Sequence, residues 1–267
     1  HMDPRCSRLR LHQFLGFTVV DRAQFIGVEE ILHPCRMIDK HEAMGFKVTH
    51  LYGMTECFGP STVCAWQPEW GELPLDERAA KMARQGVNYM TLEAQDIIDP
   101  DPMNPVPADG ETIGELMLRG NTVMKGYLKN PAATDEAFHG GWLHTGDLAV
   151  KHPDGYIEIK DRAKDIIISG GENISSIEVE KALYSHPAVS LCAVVAMPDE
   201  KWGEVPVVFV ASTNKISSEQ VINICKGKIA NYKLPKEVYM ININAFQRRT
   251  SGKINRHILE ARLEALG

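Results

Sequence analysis

Residues 161–173 read DRAKDIIISGGEN, and this stretch decides how the chain divides. Four charged side chains precede an apolar run that is predicted to be a buried strand, and two glycines follow it. Glycine permits positive φ and close approach of the backbone to a ligand, so Gly170 and Gly171 indicate a ligand-facing turn. A solvated strand entry followed by an ordinary tight turn explains the same residues.

The pattern of elements changes after Arg162. The predicted elements are, in order, a strand at 166–168, a helix at 176–186, strands at 189–197 and 205–211, a helix opened by a capping box of Ser217 and Gln220, a strand at 238–243 and a helix from Asn255. Such alternation forms a compact α/β or α+β domain of about 100 residues. We therefore predict a boundary at 163–165, between domains 1–163 and 164–267.

Before this boundary the predicted elements are mostly short strands. They are an apolar strand at 46–51, a helix at 74–85, an alternating strand at 115–119, and strands at 148–152 and 156–160. Asp154-Gly155 between the last two is a hairpin signal, so a small antiparallel sheet is expected there. The first 45 residues show no clear periodicity, and we assign them no chemistry.

Residues 52–56 read YGMTE and directly follow the first of these strands. Ligands of α/β folds bind at the carboxyl ends of strands, and a hydroxyl beside a carboxylate suits a phosphate oxygen and its Mg²⁺. Thr55 and Glu56 are therefore candidate ligand residues. A turn that ends the strand and carries a solvated glutamate is the alternative.

Residues 141–147 read GWLHTGD and place Asp147 after a glycine turn. A carboxylate there can accept two hydrogen bonds from a vicinal diol such as a ribose. An aspartate that caps its own turn is the alternative.

Residues 250–254 read TSGKI and form a polar segment just before the last predicted helix. Lys253 could reach a distant site as a mobile positive charge. A single exposed lysine of this kind is more often without function.

The composition argues against two classes of partner. The formal charge is −6, and the sequence has no basic run of the kind that follows a phosphate backbone, so nucleic acid is not expected to bind. The longest apolar stretches, such as 189–197, are far shorter than the roughly 20 residues of a membrane helix. We expect no membrane span.

The cysteine pattern and the N-terminal residues favour a cytoplasmic location. The six cysteines (Cys6, Cys35, Cys57, Cys64, Cys192 and Cys225) contain no CxxC pair and no zinc-ligand spacing. Free thiols in a reducing compartment are the default for such a pattern. His1 and Met2 look like the product of a cloning site, and no signal peptide follows them.

Taken together and in this order, the motifs resemble the superfamily of adenylate-forming enzymes, which includes acyl-CoA synthetases, peptide-synthetase adenylation domains and luciferases. The resemblance runs from about Gly45 to the end, and residues 114–116 with Gly126, Tyr127 and Pro131 look like the family's middle motif. It implies an α/β fold: part of a large N-terminal domain with a small β-sheet subdomain, followed by a mobile α+β C-terminal domain.

The resemblance also implies roles at the nucleotide. Tyr52 and Gly53 would line the adenine of ATP or AMP, Thr55 would contact the α-phosphate, and Glu56 would help to hold Mg²⁺. Asp147 would bind the ribose hydroxyls.

Further roles follow for the second half of the chain. Arg162 would bind the same ribose hydroxyls, and Lys164 occupies the family's hinge position. Gly170 and Gly171 would border the pantetheine tunnel for coenzyme A. Lys253 matches the lysine required for adenylation.

The implied reaction has two steps. A carboxylate attacks the α-phosphate of MgATP and releases pyrophosphate, with Lys253 bridging the carboxylate and that phosphate, so that catalysis is largely positioning and electrostatics. The C-terminal domain then rotates about Lys164, and the CoA thiol attacks the acyl-adenylate. The stretch 64–87 looks like a branch of fatty-acyl and methylmercaptopropionate-type CoA ligases and related plant acyl-activating enzymes. An ordinary helical excursion at the surface with two packed tryptophans is the alternative.

The sequence departs from the family pattern at its front. Members carry a Ser/Thr/Gly-rich phosphate loop ending in Lys-Gly ahead of the first motif, and no such loop is present. A Gly-Ala-Pro-Pro-type turn is also missing before residues 41–45. We therefore expect a truncated front, weak nucleotide binding with poor discrimination of ATP from AMP, and no measurable acid-dependent pyrophosphate exchange by the chain alone.

Two alternatives to a CoA ligase portion stay open. One is a peptide-synthetase-like adenylation domain that delivers its acyl group to a carrier protein. The other is a non-catalytic fragment that binds a nucleotide or CoA. The identity of the carboxylic acid and the oligomeric state are not encoded in any motif recognised in this sequence.

Overall fold

The computed structural model describes residues 17–20, 24–27, 38, 48–248 and 254–265, the first two segments through their backbone only and Glu264 without its side chain. The described strands form three sheets of mainly antiparallel strands, with a few short helices packed against them. This mixed α/β architecture confirms the predicted fold class. No helix of the described part is long and apolar enough to cross a membrane.

The first sheet has the strand order β2-β1-β3-β4-β5. Its strands are β1 (Phe17–Val20), β2 (Gln24–Gly27), β3 (Val48–Met54), β4 (Gly59–Val63) and β5 (Val87–Asn88). The predicted helix at 74–85 is shorter, α1 (Leu75–Met82), and Pro74 is its N-cap residue. Its buried residues Ala79 and Met82 share a core with Trp70 and Tyr156.

The predicted end of β3 was wrong. The strand runs to Met54, so Tyr52 and Gly53 lie inside it and the turn begins only at Thr55. The strand extends because its second half pairs with β4, with Tyr52 opposite Thr62 and Met54 opposite Gly59.

The second sheet has the order β10-β9-β8-β6-β7. Its strands are β6 (Ala94–Asp99), β7 (Asn104–Pro105), β8 (Gly114–Arg119), β9 (Leu143–Lys151) and β10 (Ile157–Arg162), and the helix α2 (Pro131–Ala137) precedes β9. The predicted hairpin at 154–155 is confirmed, since β9 and β10 pair on either side of it. The alternating pattern expected for 115–119 is wrong: residues 114–118 are all buried, because β8 lies in the middle of the sheet.

The third sheet has the order β12-β11-β14-β13, with β15 parallel to β14. Its strands are β11 (Ile167–Ser169), β12 (Glu172–Ile174), β13 (Val189–Asp199), β14 (Gly203–Ser212) and β15 (Glu237–Met240), and its helices are α3 (Ser176–Tyr184), α4 (Ser218–Cys225) and α5 (Arg256–Glu264). The predicted capping box of Ser217 and Gln220 is present at the start of α4.

The third sheet and its helices surround a hydrophobic cluster of their own. Phe209, Leu183 and Leu259 are among its fully buried residues. A single turn of 3-10 helix, Ala163–Asp165, joins β10 of the second sheet to β11 of the third. The division of the chain at this turn stays a prediction.

Candidate nucleotide site

Tyr52 on β3 of the first sheet meets Asp147 and Arg162, which lie on the paired strands β9 and β10 of the second sheet. The Tyr52 hydroxyl donates to Asp147 Oδ2 at 2.5 Å, although 95 residues separate the two in sequence. Arg162 stands directly opposite Asp147 in the β9–β10 pairing, and its Nε lies 3.2 Å from Asp147 Oδ1. The structure thus brings together three of the residues predicted to bind the nucleotide.

In this cluster the Asp147 carboxylate is the hydrogen-bond acceptor, and Tyr52 and Arg162 are donors. Burial, followed by the negative charge of Asp147, raises the pKa of Tyr52 well above 10, so Tyr52 stays a protonated donor. Each carboxylate oxygen of Asp147 has two lone pairs and can accept more than one hydrogen bond. The Arg162 side chain is 43% exposed, so a polar ligand can reach it.

A β-bulge fixes the backbone of Asp147. Gly146 adopts φ 71°, and its N–H donates to Glu115 Oε1 at 2.8 Å. The Thr145 hydroxyl donates to the carbonyl of Leu116 and accepts from the backbone N–H of Asp147 at 3.1 Å. Asp147 follows a glycine with positive φ, as expected, but the two residues lie within β9, in an irregular stretch of the strand.

Thr55 and Glu56 lie on a turn of 3-10 helix directly after β3. Thr55 is exposed and Glu56 is half-buried. The Tyr127 hydroxyl donates to Glu56 Oε1 at 3.2 Å, and the N–H of Met124 donates to the Glu56 carbonyl at 2.6 Å. The middle motif that contains Tyr127 thus holds the carboxylate of the first motif.

Glu56 is compatible with a Mg²⁺ ion that is bound mainly by a nucleotide. Among the residues with described positions, no group of three or more His, Cys, Asp or Glu side chains could hold a metal ion. Mg²⁺ in phosphate-transfer sites typically takes one or two carboxylates, together with substrate phosphates and water. A single half-exposed carboxylate meets that requirement.

Gly53 has a structural reason to be glycine. A Cβ atom at this position would lie 2.1 Å from the carbonyl oxygen of Gly59 on the paired strand β4. Any side chain would therefore force β3 and β4 apart, whether or not a ligand lies nearby.

Gly170 and Gly171 form the turn of the β11–β12 hairpin, with φ of 61° and 86°. Two positive φ values in a two-residue turn suit glycine. A Cβ on Gly170 would lie 2.7 Å from the Trp202 ring, whereas a Cβ on Gly171 would meet nothing within 4 Å. One side of this turn is packed on the third sheet and the other is open, so its contacts are with Trp202 and not with the Asp147 cluster.

Lys164 is exposed on the turn Ala163–Asp165 that links the second and third sheets. Next to it, the buried carboxylate of Asp161 accepts from the backbone N–H of Ser176 at 2.6 Å, at the start of α3. Burial raises the pKa of Asp161, while the hydrogen bonds and Arg256 act in the opposite direction.

Arg256 connects the last helix to the hinge turn. Its Nη1 lies 3.2 Å from Asp165 Oδ2 and 2.9 Å from Ser176 Oγ, and its Nη2 lies 2.8 Å from Glu180 Oε1. Glu180 is fully buried and also accepts from the N–H of Val194 at 2.7 Å. This arginine thus links α5 to α3 and to the turn Ala163–Asp165.

Lys253 lies outside the described residues, which end at Arg248 and resume at Ile254. Those two flanking residues form an antiparallel bridge, and the N–H of Asn255 donates to the Gln247 carbonyl at 2.8 Å. The predicted role of Lys253 is therefore not addressed by these contacts.

Sequence reasoning missed Asp161, Glu115, Tyr127 and Arg256 as residues that hold the site. Asp161 was read as one of four charges at a strand entry, and Glu115 as part of an alternating strand. The signal that could have found Glu115 is a carboxylate within an otherwise apolar central strand, because such a group must have partners.

The four cysteines with described positions are buried free thiols, as predicted: Cys57, Cys64, Cys192 and Cys225. Burial raises the pKa of Cys64 to about 12 and that of Cys225 to about 11. Thiols of this kind are unreactive at neutral pH. Cys6 and Cys35 lie outside the described residues.

Two family profiles match the chain. The profile of the AMP-binding enzyme matches residues 20–128, and the profile of the AMP-binding enzyme C-terminal domain matches residues 178–253. The residues of the Asp147–Arg162 pair and the hinge lie between the two matches.

Curated relatives include plant CoA ligases. Acetate–CoA ligase CCL3 of Humulus lupulus is 55% identical over 230 residues, which cover 84% of this chain and 40% of that protein. The peroxisomal acetate/butyrate–CoA ligase AAE7 of Arabidopsis thaliana is 52% identical over 231 residues, with 84% and 40% covered. The chain thus spans 40% of the length of these relatives.

Solved structures of adenylate-forming enzymes share the fold. The o-succinylbenzoate CoA synthetase of Bacillus subtilis, in complex with the acyl-adenylate OSB-AMP, has a TM-score of 0.72 and 31% identity, over 85% of this chain and 44% of that one. ATP-bound MatB from Rhodopseudomonas palustris has a TM-score of 0.71 and 28% identity, over 83% and 42%. Together with the profiles and the plant relatives, these matches show that the chain belongs to the AMP-binding enzyme family.

Proposed function

We propose that this chain is the C-terminal portion of an AMP-forming acyl-CoA ligase, which converts a carboxylic acid and ATP to acyl-AMP and pyrophosphate and then to a thioester of CoA. The observation that carries the proposal is the contact of Tyr52 on β3 with Asp147, which is paired with Arg162 across β9 and β10, together with Glu56 on the turn that follows β3. The plant CoA ligases that the chain resembles at 52–55% identity support the same reaction.

At the nucleotide, Asp147 and Arg162 bind the ribose hydroxyls. The aromatic ring of Tyr52 and the backbone at Gly53 border the adenine, while the Tyr52 hydroxyl holds Asp147 in place. Thr55, which is exposed at the start of the turn, contacts the α-phosphate. Neutral donors such as the Thr55 hydroxyl, and cationic side chains near the α-phosphate, stabilise the negative charge that builds on that phosphate in the first step.

Glu56, whose carboxylate is oriented by Tyr127, would hold a Mg²⁺ ion that arrives with the nucleotide. The ion would supply charge neutralisation at the phosphates. Lys253 adds a second positive charge between the acid and the α-phosphate in the first step.

In the second step the C-terminal unit, residues 164–267, rotates about Lys164. The exposed side of the Gly170–Gly171 turn then borders the pantetheine of CoA. The open space around a Cβ at Gly171 supports this assignment, because a narrow arm can pass along the turn there.

The acid we propose is a short aliphatic monocarboxylate such as acetate or butyrate. The names of the relatives at 55% and 52% identity support this choice. A trans-cinnamate:CoA ligase of Petunia hybrida at 45% identity makes cinnamate the informative comparison.

The location we propose is the cytoplasm, on the basis of the cysteine pattern. Several of the similar plant ligases are named as peroxisomal, so the peroxisome is the competing location. Fractionation of the source cells, followed by immunodetection, separates the two.

The experiment for the proposed reaction uses the protein with the region that precedes residue 1 in its reading frame. Pyrophosphate exchange into ATP is measured with acetate, butyrate and cinnamate, followed by consumption of free CoA. Acid-dependent exchange with CoA consumption is expected. Exchange without CoA consumption would favour a carrier-protein-dependent adenylation domain, and the absence of both would favour a binding fragment.

A further inference from the structure

A cleft separates the second sheet from the third sheet and its helices. Its volume is about 770 Å³, and it is lined by Ala79, Val150 and Lys160 on one side and by Ser175, Ile177 and Tyr184 on the other. The two sides therefore do not form a continuous packed core here. Any preferred orientation between them depends on the specific contacts at the edge of this cleft.

Asp161 makes such contacts from its position before the hinge turn. It lies in β10, and its carboxylate points across the turn to the start of α3. Asp161 Oδ2 accepts from the N–H of Ser176 at 2.6 Å and from that of Ile177 at 3.4 Å, and Oδ1 lies 3.3 Å from Ser176 Oγ. The Asp161 side chain is fully buried by this arrangement.

Ser175 adds a second connection across the same turn. Its hydroxyl donates to the carbonyl of Lys160 at 2.9 Å and accepts from the N–H of Glu178 at 3.1 Å. The bond to Glu178 lies within α3 and would survive a movement of the helix. The bonds to Lys160 and Asp161 would not.

We propose that Asp161, with Ser175 and Ser176, forms a latch that holds the C-terminal unit in this orientation, and that the latch must open when the unit rotates between the two half-reactions. This inference rests on the rotation included in the proposed function. When the latch opens, the Asp161 carboxylate loses its partners in α3, and the N–H groups of Ser176 and Ile177 lose their acceptor. The closed latch therefore stabilises the present orientation of the C-terminal unit. Asp161 is a positioning residue, because its contacts are with the protein and not with a substrate.

The first test needs no substrate. Asp161→Asn keeps the size of the side chain and removes its charge. We expect amide hydrogen exchange at Ser176 and Ile177, and proteolytic cleavage at 163–165, to become about tenfold faster, since hydrogen bonds to a charged group are lost.

Asp199→Asn is the matched control. Asp199 Oδ1 also accepts from two backbone N–H groups, those of Lys201 and Trp202, both at 2.9 Å, but these lie within one turn of the third sheet. This variant should leave exchange at Ser176 and cleavage at 163–165 unchanged. Equal behaviour of the two variants would overturn the latch.

Ser176→Ala is a milder variant if Asp161→Asn does not fold. It removes the hydroxyl contacts with Asp161 and with Arg256 but keeps the backbone N–H groups that donate to Asp161, so exchange at Ile177 is expected to rise about threefold. No change in a folded Ser176→Ala protein would also overturn the proposal. Because neither measurement uses ATP, acid or CoA, their outcome is independent of whether the proposed reaction is correct.

The second test separates a latch from a general loss of stability. In the protein with its preceding region, adenylate formation and thioester formation from supplied acyl-adenylate are measured separately. A latch that biases one orientation predicts that Asp161→Asn accelerates one step and slows the other. A decrease of both steps in parallel, or no change in either, would contradict it.

Discussion

Two acid–arginine pairs of this protein differ in how many nitrogens of the arginine contact other protein atoms. Arg162 contacts Asp147 through Nε, and its side chain is 43% exposed. Arg256 contacts Asp165, Ser176 and Glu180 through both terminal nitrogens, and its side chain is 18% exposed. The arginine of the first pair is partly exposed, whereas the arginine of the second is largely buried.

This difference is the one expected between the proposed ligand site and a structural connection. A pair that binds a ligand must keep polar atoms that the fold leaves accessible, as Arg162 does. A pair that holds elements together contributes most when it is fully surrounded, because the removal of one partner leaves a buried charge behind. The two arginines carry the same charge. They differ in how far the side chain is buried and in how many protein groups it contacts.

The largest expected effect breaks the enclosed pair. Arg256→Ala should lower the free energy of unfolding by about 3–5 kcal/mol, because Glu180 stays buried without its cation. Arg162→Ala, the control at the partly exposed arginine, should cost less, because the Tyr52 hydroxyl still donates to Asp147. Urea denaturation of both variants gives these values, and equal losses would remove the distinction drawn between the pairs.

The next effect concerns the lysine that lies three residues before Arg256 in the chain. In the protein with its preceding region, Lys253→Ala should slow adenylate formation by about 10²–10³-fold, which corresponds to roughly 3–4 kcal/mol of transition-state stabilisation. Thioester formation from supplied acyl-adenylate should be much less affected. An equal loss in both half-reactions would mean that Lys253 has a different role.

The smallest expected effect is a dependence of stability on pH. Burial raises the pKa of Glu180 from 4.5 to about 7, although Arg256 from α5 and the N–H of Val194 from β13 act in the opposite direction. Asp161 from β10 faces the same group and adds to the rise. The folded state therefore binds more protons than the unfolded state between these two pKa values.

The sign of the effect follows from this difference. Stability contributed by the Glu180 carboxyl is complete below the unfolded pKa of 4.5 and is lost as the pH rises through about 7. Glu180→Gln cannot ionise, so its stability relative to the parent protein should improve by about 3 kcal/mol between pH 4.5 and pH 8. Unfolding curves at several pH values test this, and a constant difference would contradict it.

Local features of the fold were predictable from sequence. The capping box of Ser217 and Gln220 and the hairpin at 154–155 were found because their signals lie within a few residues of each other. The end of β3 was missed because the pairing of Tyr52 with Thr62 overrides the local turn signal.

Residues of the candidate site could be predicted from the sequence, but the contacts between them could not. Asp147 and Arg162 were named from motifs, but no local pattern shows that Tyr52 donates to Asp147 across 95 residues. The structural role of Asp161 was missed for the same reason, because its partners Ser176 and Ile177 lie beyond the turn Ala163–Asp165. Burial of a charge depends on contacts that only the folded chain supplies.

The most direct test of the proposed nucleotide site is a calorimetric titration of this chain with AMP and with 2′,3′-dideoxy-AMP. If Asp147 and Arg162 bind the ribose hydroxyls, loss of both hydroxyls should weaken binding by at least about tenfold, because hydrogen bonds to charged groups are lost. Asp147→Asn should reduce the difference between the two ligands. Equal affinity of the unchanged protein for AMP and for its dideoxy analogue would contradict the account.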